Sequence, residues 1–217
     1  MEGSCAQQLS YAAGRYNHEN AETRATLRGM DSGLLDLKEA LQDFLNQASP
    51  PYLEVGPLYT PLLLPDSGID TVYWDMDLTA LKRLDANGKR VHPMYIDLNY
   101  ASETYVKDFV AWNNRLLEGL RASHGYGAIV IAQVFNYVDF RKLLRLVQQF
   151  QKPGGWLFVT NQVNLGDHAF FHPTGRPRTD SDLEHYVRSI GYNVIRYQEY
   201  GFSNDDHKQV TVIARKR

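Results

Sequence analysis

The chain has 217 residues, of which 43% are hydrophobic and 22% are charged, so it carries enough apolar material for one packed core. No apolar run approaches the ~18 residues that span a bilayer, and the start of the sequence lacks the basic and apolar segments of a secretory signal. The net charge of −2 gives no field that would attract nucleic acid. The single cysteine, Cys5, fits a reducing compartment and leaves no cysteine set for a structural zinc. We therefore expect a cytoplasmic protein without membrane insertion, metal or nucleic-acid partner.

The first 48 residues are polar and helix-prone. Apolar residues recur at helical spacing from Leu34 to Leu45, and Pro50 and Pro51 then end the segment. The sequence therefore predicts a helical N-terminal extension or cap over residues 1–48 and an α/β domain over residues 49–217.

Beyond residue 48, apolar runs alternate with helical patterns. Strands are predicted over residues 52–55, 69–74, 91–98, 128–132, 156–160, 193–200 and 209–214. Helices are predicted over residues 62–64, 78–84, 104–121 and 139–150, and a last helix begins with a Ser181 to Glu184 capping box and ends at Gly191. Pro93 places the third strand near an edge, and the last two strands should pair antiparallel because only a polar loop separates them. This order predicts an α/β sandwich with a mostly parallel seven-stranded sheet and a C-terminal antiparallel strand.

In open parallel sheets, ligands bind beyond the carboxyl ends of the strands, where the strand order reverses. The residues at the carboxyl ends of the first four predicted strands are Glu54, Gly56 and Pro57, then Asp75 and Met76, then Asp97 and Leu98, and finally Gln133. Asp75 comes about 20 residues after Gly56, the separation at which an acid reaches ribose hydroxyls in nucleotide-binding folds. For each acid alone, a solvated carboxylate at a strand end is an equally good interpretation.

Several of these segments together resemble one family. They are residues 53–57 followed by the 61–65 segment, residues 73–81, the pair Asp97-Leu98, and residues 128–138 followed by 151–159 with their Pro-Gly-Gly turn. Over residues 52–217 the chain resembles the class I S-adenosylmethionine-dependent methyltransferases, particularly the small-molecule group related to the ubiquinone and menaquinone methyltransferases. The resemblance implies a Rossmann-like three-layer sandwich, S-adenosylmethionine as cofactor and a small organic acceptor.

The resemblance also implies roles for individual residues. The cofactor would lie among Glu54, Gly56, Pro57, Asp75, Met76, Asp97, Leu98 and Gln133. Tyr11, Arg15 and Tyr16 of the N-terminal helices would close over the ligands, and Tyr137 would lie near the pocket mouth. His168 and His172 lie in the loop after the fifth strand and are candidate bases, because a histidine pKa near neutrality suits proton removal from an acceptor. Two surface histidines on a loop are the alternative.

Leu58 departs from the family pattern, because relatives have a second glycine there. Either the leucine side chain points away from the pocket, or the pocket has been rebuilt. Two functions therefore stay open. The first is methyl transfer from S-adenosylmethionine to a small molecule. The second is a catalytically altered methyltransferase-fold protein that acts as a binding or scaffolding subunit or uses the pocket for another reaction. A homo-oligomer is compatible with both.

Overall fold

The computed structural model describes residues 32–57, 61–65, 67–85, 90–97, 103–122, 124–163, 175–202 and 205–217. Within these ranges the helices are α1 (Ser32–Phe44), α2 (Leu78–Asp85), α3 (Glu103–Gly119), α4 (Phe140–Gln149) and α5 (Asp180–Ser189), and a 3-10 turn covers Leu45–Gln47. The strands are β1 (Tyr52–Val55), β2 (Thr71–Asp75), β3 (Val91–Tyr95), β4 (Tyr126–Ala132), β5 (Gln151–Val163), β6 (Tyr192–Phe202) and β7 (Asp205–Lys216).

The described strands form one seven-stranded sheet in the order β3-β2-β1-β4-β5-β7-β6. Strands β1 to β5 pair in parallel, whereas β7 runs antiparallel to both of its neighbours. The predicted fold class is therefore confirmed, including the terminal antiparallel pair and the edge position of the strand that contains Pro93. The order reverses between β1 and β4, which makes that junction the expected ligand site.

Successive side chains of each strand lie on opposite faces of the sheet. On β4, Ile129 and Ile131 join one core with α3, α4 and α5, whereas Ala128 and Val130 join another with α1 and α2. Because both faces are covered, β4 is apolar and buried along its whole length. The protein is therefore a three-layer sandwich whose strand ends converge on one edge.

Besides shifted ends of other strands and helices, three details differ from the predicted elements. Residues 62 and 63 form bends rather than part of the predicted short helix. The capping box of α5 pairs Thr179 with Asp182 rather than Ser181 with Glu184, because the Asp182 carboxylate accepts from the Thr179 backbone N–H at 2.9 Å. Strand β5 is longer than predicted at both ends, since residues 152–155 bulge out between two pairs with β4 and the strand continues to Val163 beside β7.

Helix α1 packs on the sheet through Leu34, Leu37, Ala40 and Leu41. Arg196 of β6 also binds Asp36 and Asp43 of this helix, at 3.3 and 3.2 Å. The predicted domain boundary at residue 48 stays a prediction. Within the described ranges, no helix is both long and apolar enough to cross a membrane.

Candidate functional site

Residues that follow β1, β2, β3 and β4 meet at one edge of the sheet. Gly56 N–H donates to the Trp74 carbonyl at 2.7 Å, Ile96 N–H donates to the Asp75 carbonyl at 2.9 Å, and Gln133 N–H donates to the Thr160 carbonyl at 2.9 Å. These bonds extend the hydrogen bonding between neighbouring strands by one residue beyond the last strand pairs. The structure thus brings Gly56, Asp75, Asp97 and Gln133 to the same edge, next to the reversal of strand order.

The turn after β1 is closed on one side by the loop after β4. Gly56 has φ +68°, and a Cβ built on it would lie 2.5 Å from Val134 Cγ2. A residue with a side chain would therefore be strained at this position and would also collide with Val134. The packing of Val134 is itself a sufficient reason for glycine here.

Glu54 holds the segment that connects β1 to β2. Its side chain is 1% exposed, and the carboxylate accepts the Leu62 N–H with both oxygens at 3.0 Å and the Leu63 N–H at 2.9 Å. The Tyr73 hydroxyl donates to the Leu63 carbonyl at 2.6 Å. These bonds satisfy buried backbone groups without a helix, and Leu63 can then pack with Leu81 and Leu84 of α2.

Two buried acids lie at the carboxyl end of β2 and have different roles. Asp77 caps α2, since its Oδ1 accepts the N–H groups of Thr79 and Ala80 at 2.8 and 3.1 Å. Asp75 is 4% exposed and its Oδ1 accepts the Asp77 N–H at 2.9 Å. A carboxylate has about four lone-pair sites, so Asp75 is chemically suited to accept hydroxyl groups in addition to this N–H. The sequence signal for this role is an acid directly before an apolar helical pattern.

Gln133 follows β4 in a left-handed conformation with φ 59°. Its amide oxygen accepts the Gln162 N–H at 3.1 Å, and its amide nitrogen donates to Gln209 of β7 at 3.0 Å. Gln209 in turn donates to the Thr160 hydroxyl at 2.6 Å. The Gln133 side chain therefore ties β4 to β5 and β7 and fixes the direction in which the loop leaves the sheet.

The loop after β4 also contains a residue to which the sequence alone assigns no role. Asn136 is 4% exposed, and its Oδ1 accepts from the side-chain nitrogen of Asn161 at 3.2 Å. Asn161 is fully buried just beyond the last β4–β5 pair. Tyr137, which was expected near the pocket mouth, is half-buried in the same loop. Nothing in the local pattern marks the Asn136–Asn161 pair, because the two residues are 25 positions apart.

Comparison with known proteins places this geometry in a known fold. No family model and no curated protein sequence matches the chain. Among solved structures, the chain is similar to 1,6-didemethyltoxoflavin-N1-methyltransferase from Burkholderia thailandensis with bound S-adenosylhomocysteine (TM-score 0.65, 10% identity, 100% of this chain and 92% of that one). It is also similar to the N-methyltransferase NodS from Bradyrhizobium japonicum in complex with S-adenosylhomocysteine (TM-score 0.63, 13% identity, 96% and 98%). The cyclase SpnF gives a TM-score of 0.56 at 14% identity over 83% and 80% of the two chains.

This chain has the class I S-adenosylmethionine-dependent methyltransferase fold. In this fold the reversal of strand order lies between β1 and β4, at the edge that carries Gly56, Asp75 and Asp97. The fold expected from the motif resemblance is confirmed, whereas the roles expected for individual residues stay predictions.

Several predicted site residues lie outside the described ranges of the methyltransferase fold. They are Tyr11, Arg15, Tyr16, Leu58, Leu98, His168 and His172. Of the remaining predicted residues, Glu54, Pro57 and Asp75 are buried, Gly56, Asp97 and Gln133 are half-buried, and Met76 is 36% exposed. In the part of the chain that the structure describes, no group of three or more His, Cys, Asp or Glu side chains is arranged to hold a metal ion.

Proposed function

We propose that the protein transfers a methyl group from S-adenosylmethionine to a small organic acceptor. The observation that carries the proposal is Asp75, a buried carboxylate on the strand next to the Gly56 turn, at the reversal of strand order. A carboxylate at this place in a doubly wound sheet is suited to accept two ribose hydroxyl groups. The residues proposed to hold the rest of the cofactor are Gly56, Pro57, Met76, Asp97 and Leu98.

Glu54 and Gln133 are proposed to act on the cofactor indirectly. Their polar side-chain atoms bind the 62–63 backbone and the β5–β7 pair, respectively, so both side chains shape the loops that border the cofactor site. This assignment follows from the hydrogen bonds that each side chain makes with the protein.

When bound, S-adenosylmethionine supplies an electrophilic methyl group on a sulfonium. The protein then has to align the acceptor for in-line attack, exclude water and, for a hydroxyl or carbon acid, remove a proton. We propose His168 or His172 as the base, and Tyr11, Arg15, Tyr16 and Tyr137 as residues that close over the ligands.

Calorimetric titration with S-adenosylhomocysteine tests the cofactor site. Asp75→Asn keeps the oxygen that accepts from Asp77 but removes the charge, and charge-assisted hydrogen bonds are worth about 1.5–3 kcal/mol. We expect the dissociation constant to rise by about tenfold or more. Asp77→Asn is the matched control, because asparagine also caps helices well and the residue is equally buried. Absence of binding by the wild-type chain, or equal binding by wild type and Asp75→Asn, contradicts the proposal.

A second candidate function is a reaction other than methyl transfer, or a binding role, on the same fold. The similarity to the cyclase SpnF favours keeping this candidate, since that protein has the fold and a different named activity. Incubation with S-adenosylmethionine and a panel of small acceptors separates the two. Formation of S-adenosylhomocysteine that depends on acceptor supports methyl transfer, whereas tight cofactor binding without turnover supports the second candidate.

We propose a small molecule rather than nucleic acid as the partner, and the cytoplasm as the location. The basic cluster of Arg141, Lys142 and Arg145 on α4 is consistent with this proposal. The guanidinium groups of Arg141 and Arg145 lie 5.9 and 6.0 Å from the centre of the Tyr186 ring on α5, so they contribute to packing between two helices. Salt-sensitive binding of RNA or DNA would contradict the proposed partner class.

A further inference from the structure

The orientation of the Asn136 side chain is fixed by backbone groups whose donor and acceptor identities are unambiguous. The Phe135 N–H donates to Asn161 Oδ1 at 3.0 Å, so the other terminal atom of Asn161 is its nitrogen. That nitrogen donates to the Gln162 carbonyl at 2.6 Å and to Asn136 at 3.2 Å. The Asn136 atom that faces Asn161 must therefore be Oδ1, and its amide nitrogen points away.

The amide nitrogen of Asn136 is held as a donor for which no described residue supplies an acceptor. Among the described residues, the bond from Asn161 is the one hydrogen bond of this side chain. The residue is 4% exposed, so the nitrogen cannot be fully hydrated. It differs in this from the sealed unpaired atoms of the described core, such as Asn113 Nδ2 and Trp74 Nε1.

The position of Asn136 connects this donor to the candidate site. Asn136 lies in the loop between β4 and α4, two residues after Val134, which contacts the Gly56 turn. Asn161 lies beyond the last residue pair of β4 and β5, at the carboxyl edge of the sheet. A nearly buried donor without an acceptor is unfavourable unless a ligand or water completes it.

We propose that Asn136 Nδ2 donates a hydrogen bond to a carbonyl or carboxylate oxygen of the methyl acceptor, with Asn161 as the residue that positions it. The assignment rests on the proposed function and narrows its substrate to molecules with such an oxygen near the reacting atom. An ammonium group would be excluded from this contact, because it offers donors and no lone pair. The contact orients the acceptor and transfers no proton.

Side-chain amide NMR tests this assignment without requiring the natural substrate. The full chain, labelled uniformly with ¹⁵N, is titrated with acetate, acetamide and methylammonium, with and without S-adenosylhomocysteine. The Asn136 signals are identified by their loss in Asn136→Asp, which retains an oxygen for Asn161 but replaces the donor with an acceptor. Asn113 is the internal control, because its amide nitrogen is also unpaired but is sealed in the core.

We expect a saturable shift of the Asn136 signals with acetate or acetamide and none with methylammonium, while Asn113 stays unchanged. A response to acetate alone assigns an anionic acceptor, and a response to acetamide alone assigns a neutral one. In Asn136→Asp, the probe concentration that half-saturates the shift of the Tyr137 backbone amide should rise at least tenfold. No shift with either oxygen probe, or a response to methylammonium alone, overturns the assignment. Titration of the same samples with S-adenosylhomocysteine reports separately on the cofactor proposal.

Discussion

Glu54→Gln is the substitution that most directly tests how the connection after β1 is held. In the wild-type protein, two backbone donors, Leu62 and Leu63, share one buried carboxylate. Glutamine has nearly the same shape, but one of its terminal atoms is an NH₂ group, which would face the Leu62 N–H across 3.0 Å. The remaining oxygen can still accept one or both donors.

The expected loss follows from that geometry. Two hydrogen bonds to a charged acceptor, worth about 1.5–3 kcal/mol each, become bonds to a neutral acceptor worth about 1 kcal/mol each. The free energy of unfolding should therefore fall by about 2 kcal/mol, which corresponds to a melting temperature lower by about 4–8 °C in a chain of this size. Glu54→Ala should lose more, about 4 kcal/mol, because it leaves both donors unsatisfied and opens a cavity.

Urea denaturation followed by circular dichroism measures these losses, and the m-value should stay constant. Glu39→Gln is the control, since Glu39 is an exposed residue of α1 and surface substitutions change stability by about 0.5 kcal/mol or less. If Glu54→Gln unfolds at the wild-type urea concentration, the bonds to Leu62 and Leu63 do not hold this segment. If it keeps full stability but loses S-adenosylhomocysteine binding, the carboxylate acts directly on the cofactor instead.

Three further predictions concern residues at the carboxyl edge of the sheet and in the core. Gly56→Ala should destabilise the protein by about 1–2 kcal/mol through its positive φ and by more through its collision with Val134, so adding Val134→Ala should recover part of the loss in thermal unfolding. Single and double alanine variants of Gln133 and Gln209 should show a coupling energy of about 0.5–3 kcal/mol in the free energy of unfolding. Additive losses of stability would contradict a hydrogen bond between these two side chains. Burial raises the pKa of the Tyr126 phenol far above its ordinary 10.0, so the unfolded chain releases this proton first and stability should fall as the pH rises above 10.0. Tyr126→Phe should lose less stability than the wild-type protein as the pH rises above 10.0. If the melting temperatures of both proteins fall equally with pH in this range, the buried Tyr126 phenol does not cause the loss.

The sheet could be predicted from the sequence because its main signal is local. A continuous apolar run such as residues 128–132 is typical of a parallel strand covered on both faces, and this segment lies in the middle of the observed β4. Proline at position 93 indicated an edge strand for an equally local reason, since it has no backbone N–H to donate to a neighbouring strand.

Two of the departures from the predicted elements involve side chains that bind the backbone. The proline and leucines of residues 61–64 fit a short helix, whereas in the structure this segment bends and its Leu62 and Leu63 N–H groups donate to the Glu54 carboxylate. At α5 the observed capping box begins at Thr179, two residues before the predicted Ser181. Asp182 holds this earlier start because its carboxylate accepts the N–H groups of both Arg178 and Thr179, at 2.7 and 2.9 Å. Glu184 instead pairs with Arg188.

The candidate site could be predicted only in part, for a different reason. The strand-end acids could be located because strand ends converge at one edge. The partners of Gln133 and Asn136 could not, because their bonds join residues 76 and 25 positions apart. Uncharged amides also carry no sequence signal comparable to that of an acid after a strand, so both networks become visible only when the sheet order is known.

Gly56 and Asp75 differ in how strongly they support cofactor binding. A glycine after the first strand is usually interpreted as a sign that a ligand approaches the backbone. In this chain the space beside Gly56 is filled by Val134, and the positive φ adds a second constraint, so glycine would be required even without a ligand. The bond from the Asp77 N–H does not by itself require the charge of Asp75, because an asparagine oxygen could accept it equally well. The difference in cofactor affinity between the wild-type protein and Asp75→Asn therefore carries more weight for cofactor binding than the glycine that first suggested it.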